Sequence, residues 1–462
     1  MPVRIFRSGG PGRMMQELDP GTGPEGGHAR PSSCRPPAPQ VLLRTDPAVS
    51  YQEVMGFGAS FTDSSAYLVA HRLPPAARRG LMDRLFDPVR GIGLSVLRNP
   101  MGACDYSRDF YTYDDQPPGR EDRRLGSFSI RHDLDAILPL TRWAMRLNPE
   151  LRLIASPWSP PAWMKTSGSM IGGRLRVDCL PVYADYFVRF IREYARLGVP
   201  VYAVTPQNEP LYEPGNYPGM ILPADQEADF IRDHLRPALD RAGLDTRILG
   251  YDHNWDRPDY PLDLIDRAGG SLDGIAWHWY AGSPETQGLV SGLGPGCEAY
   301  VTEGSGGQWI PPFRPAFAHL MKTGIAAMRQ GARCLVLWNL ALDAKGGPVV
   351  PGFGTSTCRG LVTVGRRGRV DYNLDYYGLA HFSRFVRPGA RRIGMDQAEG
   401  LPAVAFRNTD GSQVAVLFND RRASLRLGVR FGPARREGGA DLTLWPGTAA
   451  TLVCQPDTEE ET

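Results

Sequence analysis

A chain of 462 residues, 42% of them hydrophobic and 10% aromatic, has room for one large domain and a smaller one, each with its own core. Its 52 basic and 50 acidic residues leave a net charge of +2, without the clustered basic excess that a nucleic-acid partner requires. Seven cysteines, an odd number with no CxxC spacing, argue against a disulfide framework and against a zinc site.

Residues 1–40 are rich in Gly, Pro, Arg and Ser, carry no hydrophobic period and are expected to be disordered. Met1-Pro-Val-Arg-Ile-Phe-Arg-Ser-Gly-Gly10 holds no apolar run of signal-peptide length, so a cytoplasmic location is expected, or secretion if the start is misassigned. No window of the chain approaches a membrane span.

From 54 to 375 short apolar runs alternate with segments of helical period. The predicted strands are 54–59, 92–98, 151–155, 201–205, 247–251, 274–278, 299–302 and 334–338. Helical spacing occupies 74–86, 133–147, 180–197, 225–242 and 315–330. In the third of these, Tyr183, Phe187, Phe190, Ile191 and Tyr194 fall on one face. Repeated strand–helix alternation without a GxGxxG loop predicts an α/β fold of the (β/α)8 barrel type rather than a doubly wound nucleotide-binding sheet, and no cofactor is expected. Beyond 376 the pattern changes to short strands at 403–407, 413–419, 424–429, 440–444 and 450–454, which predicts an antiparallel β-sandwich over 376–456 and a charged tail over 457–462.

Barrel enzymes carry their chemistry just past the C-terminal ends of the strands. Two glutamates stand there, Glu209 after Val201-Tyr-Ala-Val204 and Glu303 after Glu298-Ala-Tyr-Val301. Two carboxyls delivered to one place from separate strands are what a retaining glycosidase uses, one as acid/base and one as nucleophile, about 5–5.5 Å apart. Arg98, Asp105, Trp158, Asn208, His278, Tyr280 and Trp338 occupy other strand ends or the loops that follow them. Aromatic faces beside charged and amide groups suit a sugar ring. Trp277 and Trp163 read as packing residues. Asp63 reads as a helix N-terminal residue, and Asp252 with His253 as a polar loop, all three outside the catalytic set. A metal-dependent hydrolase built on His278, His253 and Asp105 lacks the HExxH spacing such sites use, so no metal is expected. A non-catalytic sugar-binding barrel is the reading from another class, and the presence of both glutamates counts against it.

The chain resembles glycoside hydrolase family 30, the family of glucosylceramidase. The motifs that carry the resemblance run in order: Gly56-Phe-Gly-Ala-Ser-Phe-Thr-Asp63, Arg98-Asn-Pro-Met-Gly-Ala-Cys-Asp105, Ala155-Ser-Pro-Trp-Ser-Pro-Pro-Ala-Trp-Met-Lys-Thr166, Gln207-Asn-Glu-Pro210, His278-Trp-Tyr280, Thr302-Glu-Gly304, Trp338-Asn-Leu-Ala-Leu342 and Tyr377-Gly-Leu-Ala-His-Phe-Ser-Arg-Phe385. The resemblance implies a barrel over 54–375 and a β-sandwich that also takes a strand from 41–53. It implies Glu209 as acid/base, Glu303 as nucleophile, and Asn208 on the sugar 2-hydroxyl. Tyr280 and Arg98 would stand on Glu303, Asp105, Trp158 and Trp338 around the sugar, and His278 in support. The substrate so implied is a small glycoside, a glycolipid or an oligosaccharide, with a β-glucoside or glucosylceramide first and β-1,6-glucan, β-xyloside or β-fucoside as alternatives. Residues 346–362 depart from the glucosylceramidase loop, which leaves the choice of sugar open.

Overall fold

The computed structural model describes residues 3–10, 12–18, 39–432 and 438–456. The chain divides into two compact units. One comprises Phe57–Gly307 and Cys334–Asn373; the other comprises the residues up to Gly56, Gln308–Arg333, and Leu374 onward.

Eight parallel strands close into a barrel: Gly56–Ser60, Val96–Pro100, Arg152–Ser156, Ala203–Val204, Arg247–Asn254, Gly274–His278, Ala299–Glu303 and Ala332–Asn339. Gly56–Ser60, Val96–Pro100, Gly274–His278 and Ala299–Glu303 are buried throughout, which is why parallel strands read as continuous apolar runs rather than as alternation. Helix Leu180–Arg196 buries Tyr183, Phe187, Phe190, Ile191 and Tyr194, the face its spacing predicts. The helical stretch 224–242 is interrupted by a π-helical turn over Phe230–Leu235, just before Pro237. A proline has no N–H for the carbonyl four residues back, and widening the turn accommodates the loss. The loop region 346–362 returns as Val362–Val364, parallel to Ala341–Asp343 and antiparallel to Val370–Tyr372, a small sheet not anticipated from the sequence. Trp277 packs edge-on against Tyr251 at 5.4 Å, and Trp163 is buried with Nε1 donating to the Asp114 carbonyl at 3.0 Å.

The second unit contains a nine-stranded sheet in the order 438–444, 425–431, 41–53, 391–395, 403–407, 413–418, 449–454, 3–8, 16–18. Leu43, Leu427, Phe431, Leu417, Leu452, Val3 and Ile5 share one core although their strands lie far apart in this order, so the sheet folds over on itself as a sandwich does. Val41–Glu53 is one of its strands. It pairs parallel to Leu425–Phe431, so the sandwich is mixed rather than wholly antiparallel. Helices Arg314–Arg329 and Leu374–Ser383 pack together. A Cβ on Gly378 would stand 2.2 Å from Leu320 Cδ2, so only glycine permits this approach.

The expectation of disorder over 1–40 is corrected for residues 3–10 and 12–18. Val3–Ser8 pairs antiparallel with Ala449–Cys454 across six residues, and Gln16–Leu18 pairs with it in turn. Composition averaged over forty residues hides a six-residue strand that buries Val3, Ile5 and Phe6 and satisfies its backbone in a distant partner. Residues 19–38 and the tail 457–462 lie outside the described residues. Cys104, Cys179, Cys297 and Cys358 are free thiols. No helix among the described residues is long and apolar enough to cross a membrane.

Candidate active site

The parallel register of the barrel brings the strand ends to one level. Glu303 and Asn254 both stand opposite His278, the last residue of its strand. Reactive atoms of Glu209, His278 and Glu303 all lie within 4.8 Å of one another. Glu303 is gripped on both oxygens: Arg98 Nη1 donates to Oε2 at 2.7 Å, and the Tyr280 hydroxyl donates to Oε1 at 2.8 Å. Arg98 is fully buried on the second strand, and its Nη2 also donates to Asn208 Oδ1 at 2.6 Å. His278 is buried, with Nδ1 at 3.1 Å from Glu209 Oε1 and Nε2 at 3.1 Å from Asp252 Oδ1.

Asp252 joins these groups, and this corrects its reading as part of a polar loop. It belongs to strand Arg247–Asn254, has no exposed surface, and accepts from four donors. Arg98 Nη2 at 2.7 Å and Thr205 Oγ1 at 2.8 Å meet Oδ2; His278 Nε2 and Thr302 Oγ1, at 2.6 Å, meet Oδ1. The available sequence signal was its place directly after a predicted strand, the same place that singled out Glu209 and Glu303. Its neighbour His253 stands 3.9 Å from Glu209 Oε1. Asp63 opens helix Asp63–Tyr67 and is engaged by Arg108 and His132.

Trp158 and Trp338 stack at 4.9 Å and carry the Arg98 guanidinium against their rings at 5.0 and 5.7 Å. Each is only 3% exposed, so what they offer a ligand is an edge rather than a face. Asp105 stands near them. Its Oδ1 is buried without a hydrogen-bond partner among the described residues, which leaves it available to a ligand hydroxyl.

Charge is distributed unevenly over this cluster. Burial alone would raise the Asp252 carboxyl, but the Arg98 charge and the His278 hydrogen bond hold it well below the usual range. Burial would likewise lower His278, yet the charge of Glu303 and the hydrogen bonds to Asp252 and Glu209 push it up to about 9. Burial and then the charge of Glu303 push Asp105 up to about 8. Burial also drives both glutamates upward. Around Glu209 the hydrogen bond and charge of His278 outweigh it and hold the carboxyl below its ordinary value. Around Glu303 burial and the neighbouring Glu209 charge outweigh His278 and Arg98, and the carboxyl sits above. The two titrate as one unit.

This donor set suits proton transfer and carboxylate nucleophilic chemistry better than a metal. A carboxylate on each ring nitrogen favours the imidazolium form of His278, which has no lone pair to give an ion. His278, His253 and Asp105 do not form a metal-competent group among the described residues.

A closed parallel barrel with paired carboxyls at its strand ends is the architecture of a sugar-cleaving hydrolase. The glycosyl hydrolase family 30 TIM-barrel domain matches residues 54–386, and the family's β-sandwich domain matches 389–452. An endo-1,6-β-D-glucanase of Neurospora crassa is 35% identical over 398 residues, 82% of this chain and 81% of that protein. The lysosomal acid glucosylceramidase of Mus musculus is 31% identical over 412 residues, 82% and 77% of the two chains. The solved structure of an endo-β1,6-glucanase superposes with a TM-score of 0.87 at 28% identity, covering 99% of this chain and all of that one. The chain belongs to glycosyl hydrolase family 30 and is a glycoside hydrolase.

Proposed function

We propose that this glycoside hydrolase is a retaining enzyme that cleaves β-1,6-linked glucose chains, with Glu303 as nucleophile and Glu209 as general acid/base. The observation that carries retention is the approach of Glu209 and Glu303 oxygens to within 4.8 Å. Inverting enzymes hold their carboxyls about 6.5–9.5 Å apart to admit a water.

The partners of each glutamate support these roles. Two donors fixed on Glu303 favour an anion aimed at the anomeric carbon. These surroundings hold Glu209 low and Glu303 high, the reverse of what acid and nucleophile need, and the His278 hydrogen bond offers the remedy. Glu209 keeps 17% side-chain exposure, so an arriving sugar strips its remaining water and pushes its carboxyl up. A proton crossing from His278 Nδ1 to Glu209 Oε1 then leaves Glu209 neutral while Arg98 and Tyr280 keep Glu303 ionised. Glu303 attacks C1 as Glu209 protonates the departing oxygen. In the second step Glu209 takes a proton from water, which displaces Glu303 and frees the β-anomer.

The choice of glucan rests on the Neurospora relative and on aromatic rings that extend from the site. Tyr106 lies 6.3 Å from Trp338, Phe353 lies 6.2 Å from Tyr106 and 5.4 Å from Tyr217, and Tyr212, 49% exposed, lies 6.4 Å from Tyr217. Tyr106 is buried and backs the others, while the half-buried Tyr217 and Phe353 and the exposed Tyr212 present surface that suits further sugars of a chain. Glucosylceramide is the second reading, supported by the mouse relative.

Linear β-1,6-glucan and glucosylceramide assayed side by side distinguish the two: oligosaccharides released from the glucan at the higher kcat/KM are expected. NMR should detect the β-anomer first, and an initial α-anomer would overturn retention. Glu303→Gln should lose turnover on every substrate. Glu209→Gln should still accept a 2,4-dinitrophenyl glycoside and, with azide, give the β-glycosyl azide. The opposite rescue pattern would exchange the roles.

A further inference from the structure

Glu227 is a glutamate with no exposed surface and no part in the steps above. It lies on helix Ala224–Asp229, and its Oε1 accepts the backbone N–H of Tyr251 at 3.0 Å. Its Oε2 lies 2.5 Å from the Tyr260 hydroxyl, which also reaches the Leu222 carbonyl at 2.7 Å. The segment it holds is unusual. Tyr251 and Asp252 have φ of 74° and 54°, a region that residues other than glycine, asparagine and aspartate rarely occupy, so Tyr251 is the unusual one. The register against the sixth strand jumps there: Tyr251 faces Ala276 and His253 faces Trp277, so Asp252 is the extra residue of a β-bulge. The bulge aims the Asp252 carboxylate at Arg98 and His278. Its carbonyl accepts the N–H of Glu209 at 3.0 Å, and Glu209 is itself left-handed, with φ of 47°. Tyr251 and Glu209 are strained in this conformation, and such residues persist only where their surroundings over-determine them.

We propose that Glu227 is a positioning residue that clamps the Tyr251–Asp252 bulge and, through the Asp252 carbonyl, sets where Glu209 stands over the scissile bond. The inference rests on the reading of Glu209 as the proton donor. Burial pushes Glu227 up to about 7, which suits a neutral acid that donates to Tyr260 while Tyr260 donates to Leu222, with Oε1 left as the acceptor for Tyr251. Glutamine keeps that acceptor. Aspartate, one methylene shorter, withdraws it from Tyr251.

The experiment measures kcat/KM for phenyl, 4-nitrophenyl and 2,4-dinitrophenyl β-glycosides of the wild-type enzyme's preferred sugar, in Glu227→Asp, Glu227→Gln and Glu209→Gln. A misplaced acid costs most where the leaving group needs a proton. Glu227→Asp should lose about tenfold to a hundredfold on the phenyl glycoside, within the range of a small misplacement, and under about threefold on the dinitrophenyl one. Glu227→Gln should recover most of the loss. A uniform loss across leaving groups, no loss, or a Gln variant as selective as Asp would each overturn the proposal. Glu209→Gln separates the two ideas. If it too lacks leaving-group dependence, the acid assignment has failed and takes the proposal with it. If it alone has that dependence, only the role of Glu227 has failed.

Discussion

Asp252→Asn is nearly isosteric and removes one charge from the centre of the cluster. Each Asp252 oxygen receives two donors, so whichever way the amide turns, its NH2 faces two groups that also donate. Thr205 can redirect its hydroxyl to Ser156 Oγ at 2.7 Å and Thr302 to the Trp277 carbonyl at 3.3 Å, but the guanidinium of Arg98 has nowhere to turn. The amide oxygen is therefore expected to stay on Arg98, leaving the NH2 against His278 Nε2. His278 can accept that hydrogen bond only as a neutral ring. Its pKa, held near 9 partly by Asp252, should fall by about 1–3 units, the usual effect of an opposite charge at contact distance. On the proposed proton path from His278 to Glu209, the alkaline limb of kcat/KM should move to lower pH by a similar amount. Breaking a buried charge network by removing one partner costs about 3–5 kcal/mol, which scanning calorimetry would register as a lower Tm. The assay is kcat/KM for a 4-nitrophenyl glycoside from pH 4 to 10. A variant with the wild-type alkaline limb and Tm would refute the view that Asp252 sets the charge of His278.

Deleting residues 1–18 removes a strand that buries Val3, Ile5 and Phe6 and takes the Ser8 hydroxyl from His381 Nε2. At about 1.5–3 kcal/mol per buried side chain the loss is an appreciable part of a domain's stability, so Tm should fall markedly; an unchanged melting curve would contradict the pairing. Asp105, raised to about 8, favours folding in its protonated form, an effect complete below its unfolded value near 4 and lost as pH rises through 8. Asp105→Asn does not titrate, so its Tm relative to wild type should climb between pH 4 and 8, and a difference independent of pH would count against the raised carboxyl.

The barrel was legible because a parallel strand buried on both faces appears in sequence as an apolar run, and Glu209 and Glu303 stood out as the carboxylates following two such runs. Asp252 follows a third run and was passed over for a physical reason. Sequence periodicity assumes an unbroken pleat, and the bulge at Tyr251–Asp252 adds one residue that no pattern of side chains reveals. Glu227 was hidden for a related reason. In Ala224-Asp-Gln-Glu-Ala-Asp229 it reads as one more exposed acid, and only the bulged backbone of another strand gives it a buried donor to accept. The strand Val3–Ser8 was missed because its partner, Ala449–Cys454, closes the other end of the chain, and its own composition gives no sign of that pairing. In each case the missing information lay in backbone conformation or pairing that no local pattern of side chains carries. Local spacing placed the two glutamates at strand ends, whereas it carries no sign that the Glu209 N–H is taken by the Asp252 carbonyl or that Glu227 takes the N–H of Tyr251. Substitutions at those two positions therefore test more of the site's construction than further changes to the glutamates themselves.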